Sequence, residues 1–466
     1  MSARSGLLFI LAFLALGGCT RRFVNSPSAA QATPAATTIA PAPATSAVDP
    51  QSVVEPTPAA VITATATVPA AVGAAQSLDR GPFTMEESHC GVHLPVVAPL
   101  TPVAPAEEIV EVNVAMAQIP EGARPAVQYM LANPGGVALV AYEAGRESEG
   151  IFLNADNPRP LASVVKVLHL VAYARAVQLG ELDPATFVPL AELERYYLPN
   201  SDLGSHPRAV AELLAEERVF GQPPSVLLED VPRMMIEYSS NAATDYLHML
   251  LGQERIEQTA VAVGMIQQTA PCPFLGQFLL MGRRTEGIAP VQSLFEDPRL
   301  YSRSVMSATE QYIGDVAFRT AEGAWSSRER RPSLEAQQLF SEQLNAHGTA
   351  REYANLMAQI ALNTLGPWEE SVRIRRYMEW PTHFPDNQEQ LAWLGYKGGS
   401  LPGVLTVVYY AQPWNTIQPV VVALFFHDLP TEIYRDWRRT LPHDELARWL
   451  LREREAIPLL RTLFLR

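Results

Sequence analysis

Lysine is almost missing from this chain of 466 residues: of 35 basic residues, only Lys166 and Lys397 are lysine. Arginine serves equally well for surface charge but keeps its proton, whereas a buried lysine can release one near neutral pH. The surroundings of these two residues are therefore the first place to look for chemistry. A basic surface is missing too. The net charge of −14 argues against a nucleic-acid binder and for a self-repelling surface. There is no internal repeat and no dinucleotide or phosphate-loop glycine signature. Cysteine is confined to Cys19, Cys90 and Cys272. Cys90 and Cys272 are either a pair formed in an oxidising compartment or two separate thiols, because spacing alone does not bring backbones together. Hydrophobic residues, at 48% of the chain, are enough for a large core.

The N-terminus opens with a positive start, an apolar run from Gly6 through Leu16, and then Leu16-Gly17-Gly18-Cys19. That pattern describes a secretory signal peptide over residues 1–19. Its run is shorter than the roughly 20 apolar residues a spanning helix needs. Leu-Gly-Gly-Cys resembles the bacterial lipobox, which implies lipidation of Cys19 and anchoring to the outer face of the cytoplasmic membrane. Residues 20–105 are rich in Ala, Pro and Thr, a composition that buries too little apolar surface to fold. Repeated prolines make it a semi-rigid spacer.

The folded domain is expected over 106–466. Ala123–Leu131 suits a short helix, with Pro125 in its first turn. Gly136–Tyr142 and Ile151–Asn154 read as strands around a polar turn. Leu161–Ala176 is apolar almost all round and reads as a buried helix. A helix-rich middle includes Leu334–Leu344 and Thr349–Asn363, the latter with Thr349 as N-cap. Strands return at Gly403–Tyr410 and Pro419–His427, and Arg435–Leu465 is helix-forming. Strands, a long helical middle, then strands imply an α+β fold: an antiparallel sheet flanked by helices, with a mostly helical second subdomain.

Ser163 and Lys166 lie three apart in Leu161-Ala162-Ser163-Val164-Val165-Lys166, so on a helix they share a side. Lys166 is the only charge between Leu161 and Ala174; desolvation there favours the neutral amine, a competent base for a serine hydroxyl. A helix starting at Ser163 would also leave that N–H free for an oxyanion. Lys397 lies in Tyr396-Lys397-Gly398-Gly399-Ser400, read as the start of an apolar strand whose glycines admit a substrate against the backbone. Between them runs Glu237-Tyr238-Ser239-Ser240-Asn241-Ala242-Ala243-Thr244-Asp245, a helix N-terminus carrying a relay hydroxyl at Ser239 and an amide at Asn241.

Ser-x-x-Lys, Ser-x-Asn and Lys-x-Gly in this order resemble the penicillin-recognising serine enzymes. The segments Pro160–Ser163, Ser239–Ala243, Thr349–Ala354 and Lys397–Val404 are similar to those of class A β-lactamases. The resemblance implies Ser163 as nucleophile, Lys166 as acylation base and Ser239 as proton relay. Asn241, Lys397, Gly399 and Ser400 would bind substrate, with an oxyanion hole at the N–H groups of Ser163 and Ser400. It further implies a β-lactam or a peptidoglycan-derived substrate; a monomer is expected, with no cofactor and, since no cluster of ligand residues is evident, no metal. Two departures stand out. Gly398 occupies a position usually held by a hydroxyl residue, and Ser400 is the candidate to supply the missing hydroxyl. The Glu-x-x-Leu-Asn loop that activates the deacylating water is missing: Glu286 and Glu296 lie in the right interval without the pattern, and Glu342-Gln343-Leu344-Asn345 is one residue short and late in the chain. Residues 276–331 form an insertion, either a lid or added surface. A D-alanyl-D-alanine carboxypeptidase or esterase on the same site, and a non-catalytic peptidoglycan-binding envelope lipoprotein, are the alternative functions. His89 and His93, four apart, read as coincidence rather than a zinc site, and His169 as a packed core residue.

Overall fold

The computed structural model describes Cys90, residues 115–284, Leu294, and residues 296–328 and 332–464. The expected signal peptide with Cys19, almost all of the expected linker, His89, His93 and Glu286 lie outside the described residues.

Five strands form one antiparallel sheet: β1 (Val137–Glu143), β2 (Ile151–Leu153), β3 (Leu391–Leu401), β4 (Val404–Pro413) and β5 (Val420–Phe426). Their spatial order is β2-β1-β5-β4-β3. The first and last parts of the chain thus meet at the sheet's centre, where Val137–Glu143 pairs residue by residue with Phe426–Val420. Both central strands are apolar on both faces, because both faces are covered. Ala138, Val140, Tyr142, Val421, Ala423 and Phe425 face one cluster. The alternate residues Val137, Leu139, Ala141, Val422, Leu424 and Phe426 face a second, as the two-residue period of a strand requires.

On the first face lie α1, the buried helix Lys166–Gln178, and α2, Ala350–Ala361. Ten of the thirteen residues of α1 are buried, so it is enclosed by neighbours, as its unbroken apolar sequence predicts. Thr349 caps α2 by accepting from the Glu352 N–H at 3.2 Å. The second face is covered by Arg124–Ala132 and three C-terminal helices, Thr431–Thr440, Pro442–Arg452 and Ala456–Phe464, where one helix-forming segment is expected. The described parts of the insertion are mainly helical: Phe274–Arg284, Pro298–Gly314 and Val316–Arg328, followed by Leu334–Leu344 with the bounds expected of it.

Cys90 and Cys272 are bonded, with Cα atoms 4.8 Å apart across 182 residues of sequence. The bond pins the segment entering the insertion. A disulfide typically contributes about 2–4 kcal/mol to stability. Cys272→Ser is therefore expected to lower unfolding stability by that amount, read as a drop in denaturation midpoint that matches the reduced parent.

Candidate active site

Ser163, the nucleophile candidate, is positioned by a strained turn. Arg159–Pro160 pairs antiparallel with His347–Gly348, after which Ala162 turns into the left-handed region at φ +47°. For a residue with a Cβ this costs of order 1–3 kcal/mol and needs external support. Three contacts supply it: the Leu161 N–H donates to Ala346 O at 2.9 Å, the Ala162 N–H donates to Asn345 Oδ1 at 2.9 Å, and the Thr406 hydroxyl donates to Leu161 O at 2.8 Å. Ala162–Val165 then forms a 3-10 turn, and the α-helix begins only at Lys166. The expected single helix from Leu161 is thus two elements. Ser163 and Lys166 remain three apart across this junction, a spacing that keeps both on one side of the turn. Ser163 is half-buried, and no acceptor among the described residues takes its N–H.

Lys166 is fully buried. Its Nζ lies 2.7 Å from Ser239 O, 2.7 Å from Asn241 Oδ1 and 3.2 Å from Ser239 Oγ. Burial pushes its pKa well below that of an ordinary lysine; the positive charge of Lys397 adds to this, and Asp202 and Asp245 oppose it. A neutral amine has two N–H donors and one lone pair. The two short contacts use the donors, which leaves the lone pair for a hydroxyl. Lys397 Nζ donates to the same Ser239 Oγ at 3.0 Å and to Gly398 O at 2.9 Å. One hydroxyl therefore joins both lysines of the sequence. Ser239 is also left-handed, at φ +64°, so both serines sit on or directly after a strained residue. Ser240 caps the helix Asn241–Leu251 by accepting from the Ala243 N–H at 3.1 Å, which orients Asn241 into the site.

The remaining wall is β3, the sheet's edge. Lys397-Gly398-Gly399-Ser400 lies inside this strand of eleven residues, not at the start of the next one as expected. Gly399 has a steric reason: a Cβ there would lie 2.7 Å from Leu161 O and 2.8 Å from Ser163 N. Only glycine lets the strand edge pass this close to the nucleophile turn. Ser400 follows and is exposed, with its Oγ 3.1 Å from the Tyr434 hydroxyl.

Behind Lys166 stands an aromatic ring. The Phe274 centroid lies 5.0 Å from Lys166 Nζ. Asp245, buried at 1% exposure, holds it there: its carboxylate accepts from the Phe274 N–H at 2.8 Å and the Leu275 N–H at 2.7 Å. Burial lifts the Asp245 pKa to about 7 against those two bonds and the pull of Lys166. Among the described residues no carboxylate lies within ion-pair distance of Lys166. Glu296 is exposed. Glu342 is engaged with His427 at 3.0 Å and the Asp428 N–H at 2.6 Å, while Asn345 supports the nucleophile turn. His169 is a core residue, its Nε2 3.1 Å from His248 Nδ1, and burial keeps both rings neutral with pKa values near 3 and 4.

Ser163, Lys166, Ser239, Asn241, Lys397 and Gly399 are thus brought together, with Ser400 next along the strand. Thr406 and Phe274 escaped the sequence reading, and Asn345 entered it only as the end of Glu342–Asn345, not as a support of the Ser163 turn. Asp245 was the available signal, as the one acid in its helix.

Comparison with known proteins places these features in context. The model of the β-lactamase enzyme family matches residues 124–436. No curated protein matches significantly. Among solved structures, a β-lactamase from Sphaerobacter thermophilus is 16% identical, with 70% of this chain and 96% of that chain covered at a TM-score of 0.42. A β-lactamase from Burkholderia vietnamiensis is 13% identical (71% and 96% covered, TM-score 0.41). A protein described as PBP-A is 14% identical (74% and 98%, TM-score 0.39). These structural scores are low, and the assignment rests on the family model, which spans about two thirds of the sequence: the chain belongs to the β-lactamase enzyme family.

Proposed function

We propose that the protein is an exported, lipid-anchored serine hydrolase that forms an acyl-enzyme on Ser163 with a β-lactam or related amide, and releases the acyl group slowly. The observation that carries this reading is the convergence of Lys166 and Lys397 on Ser239 Oγ, beside the Ser163 turn. In acylation the Lys166 lone pair takes the Ser163 proton while Oγ attacks the carbonyl carbon. The oxyanion is received by the N–H of Ser163 and, one strand position past Gly399, that of Ser400. The C–N bond then breaks, Ser239 gives its proton to the leaving nitrogen, and Lys166 returns the proton it took to Ser239. Lys397 keeps a positive charge beside this exchange. Hydrogen-bond donors fixed in advance at a water-poor site are the largest single contribution in reactions of this type.

Release requires water to attack the ester carbonyl and lose a proton. Phe274 fills the side of Lys166 where a carboxylate could take that proton. This favours a second reading, a D-alanyl-D-alanine peptidase or esterase that a β-lactam traps as a lasting adduct. The disulfide is consistent with an exported protein, since such bonds persist in oxidising compartments.

The test is to mix the protein with a fluorescent penicillin and follow the adduct mass over time. A single adduct on Ser163 that persists for minutes or longer is expected. Clearance within seconds would instead make it an efficient β-lactamase, and absence of any adduct on the parent would overturn the reading.

A further inference from the structure

The turn that joins β4 to β5 carries the two most exposed large apolar side chains among the described residues: Ile417 is 90% exposed and Trp414 66%. Single exposed apolar residues are ordinary on a protein surface, but this pair is presented by a built turn. Gln412 Nε2 donates across it to Thr416 O at 2.9 Å, and the Thr416 N–H donates to Pro413 O at 3.3 Å. The Trp414 indole N–H donates to Gln388 O at 3.1 Å, so the ring is held and its one polar atom is satisfied. What points outward is apolar. From Gly398 to Phe426 no residue carries a charge. Trp368 is the contrast: it is 63% exposed, but it opens the helix Trp368–Met378 with Glu369 and Glu370 directly after it.

The rim of the turn is close to neutral. Pro419 O accepts from the Ala144 N–H at 2.9 Å, and Arg146, just beyond, is paired with Glu143 and Glu149. On the other side the Arg452 guanidinium donates to Gln390 Oε1 at 3.1 Å, next to the exposed Glu389. An uncharged tip of tryptophan and isoleucine, whose indole N–H needs no water, is matched to the headgroup layer of a lipid bilayer. The net charge of −14 opposes an anionic surface, so the matching lipid is zwitterionic. Two side chains hold a bilayer weakly by themselves. For a chain anchored at Cys19 the contact is intramolecular, and the effective concentration set by the tether makes it count. We propose that the β4–β5 turn seats Trp414 and Ile417 in the headgroup layer of the membrane that anchors the chain. This rests on the anchored half of the reading above. It also sets the height of the active site: Leu391 pairs with Pro413 at the foot of the turn, and Lys397 lies further along β3, up to roughly 20 Å away at about 3.3 Å per residue.

The experiment uses the full chain, as exported, with phosphatidylcholine vesicles whose upper acyl carbons are plain or brominated, since bromine quenches a tryptophan that it touches. The parent is expected to fluoresce less in the brominated vesicles, and Trp414→Phe to lose that difference entirely, because the other tryptophans stay out of the lipid. Ile417→Ser, at a position outside the core, is expected to reduce the difference roughly twofold or more, as binding scales with the apolar area inserted. A difference that persists in Trp414→Phe, or that Ile417→Ser leaves unchanged, would overturn the inference. So would a concentration-dependent dimer in the absence of vesicles that Ile417→Ser abolishes, since a second copy would then cover the turn. The anchor is read separately, from the acyl mass on Cys19 and from flotation with the vesicles. A parent that is acylated and floats, yet shows no quenching, counts against the seated turn alone. A parent without acyl mass whose Trp414 is still quenched counts against the anchor alone.

Discussion

Lys166→Arg is expected to be as inert as Lys166→Met, each acylating about a thousandfold more slowly than the parent. The size follows from general-base catalysis, which contributes roughly 10²–10⁴-fold. The equality follows from chemistry: arginine keeps the charge and length but cannot give up its proton. If Lys166 served only as a positive charge, the arginine variant would retain most activity, and that outcome would reject the base role. Stopped-flow labelling with a fluorescent penicillin, with the adduct mass as control, reads both variants directly. Ser163→Ala is expected to take up no adduct at all.

The same pair sets the pH profile. Acylation needs the neutral amine, so the rate rises with pH through the Lys166 pKa and then levels. Burial, seconded by Lys397, holds that pKa well below the ordinary lysine value, so the plateau should be reached at a correspondingly lower pH. Removing the neighbouring charge, as in Lys397→Gln, relieves part of the depression. The rising limb is then expected to move toward higher pH. A profile that does not move would mean that burial alone sets the Lys166 pKa.

How much of this could be seen in the sequence depends on how local each feature is. Helices with a cap and an apolar stripe declared themselves, as in Thr349–Asn363 and Leu334–Leu344. The buried helix after Ser163 did so through unbroken apolarity. β3 was concealed because Gly395, Gly398 and Gly399 make a strand interior look like a turn. Their reason is tertiary: at Gly399, for example, the backbone must pass Ser163 N without a Cβ. The nucleophile turn was misread as α-helix for a similar reason, since Ala162 is held left-handed by Asn345, Ala346 and Thr406, all more than 180 residues away. The three short motifs were legible because each carries its chemistry in three or four residues. The absence of the Glu-x-x-Leu-Asn loop was legible as well, but the ring of Phe274 beside Lys166 was not, because only the tertiary fold brings those two residues together.

That ring leads to the most demanding expectation, a gain of function. In Phe274→Glu, the carboxylate on its short stem would centre about where the ring centre now lies, 5.0 Å from Lys166 Nζ in the parent. The smaller side chain also vacates volume in which a water can sit between carboxylate and amine. Asp245 holds the backbone at residues 274 and 275, so the new group would enter at a fixed point rather than on a loose loop. A base so placed is expected to shorten the life of the penicillin adduct by about 10²-fold or more, within the range for general-base catalysis. It should also slow acylation, because an anion near Lys166 favours the protonated amine and raises its pKa. The two effects have opposite signs and are read separately, one from adduct decay and one from its formation. Phe274→Gln provides the control: it opens the same space without a base, so its adduct should decay much more slowly than that of the glutamate variant. Were both variants folded and their adducts equally long-lived, the slow release would lie elsewhere, in the access of water to the ester rather than in the lack of a group to deprotonate it.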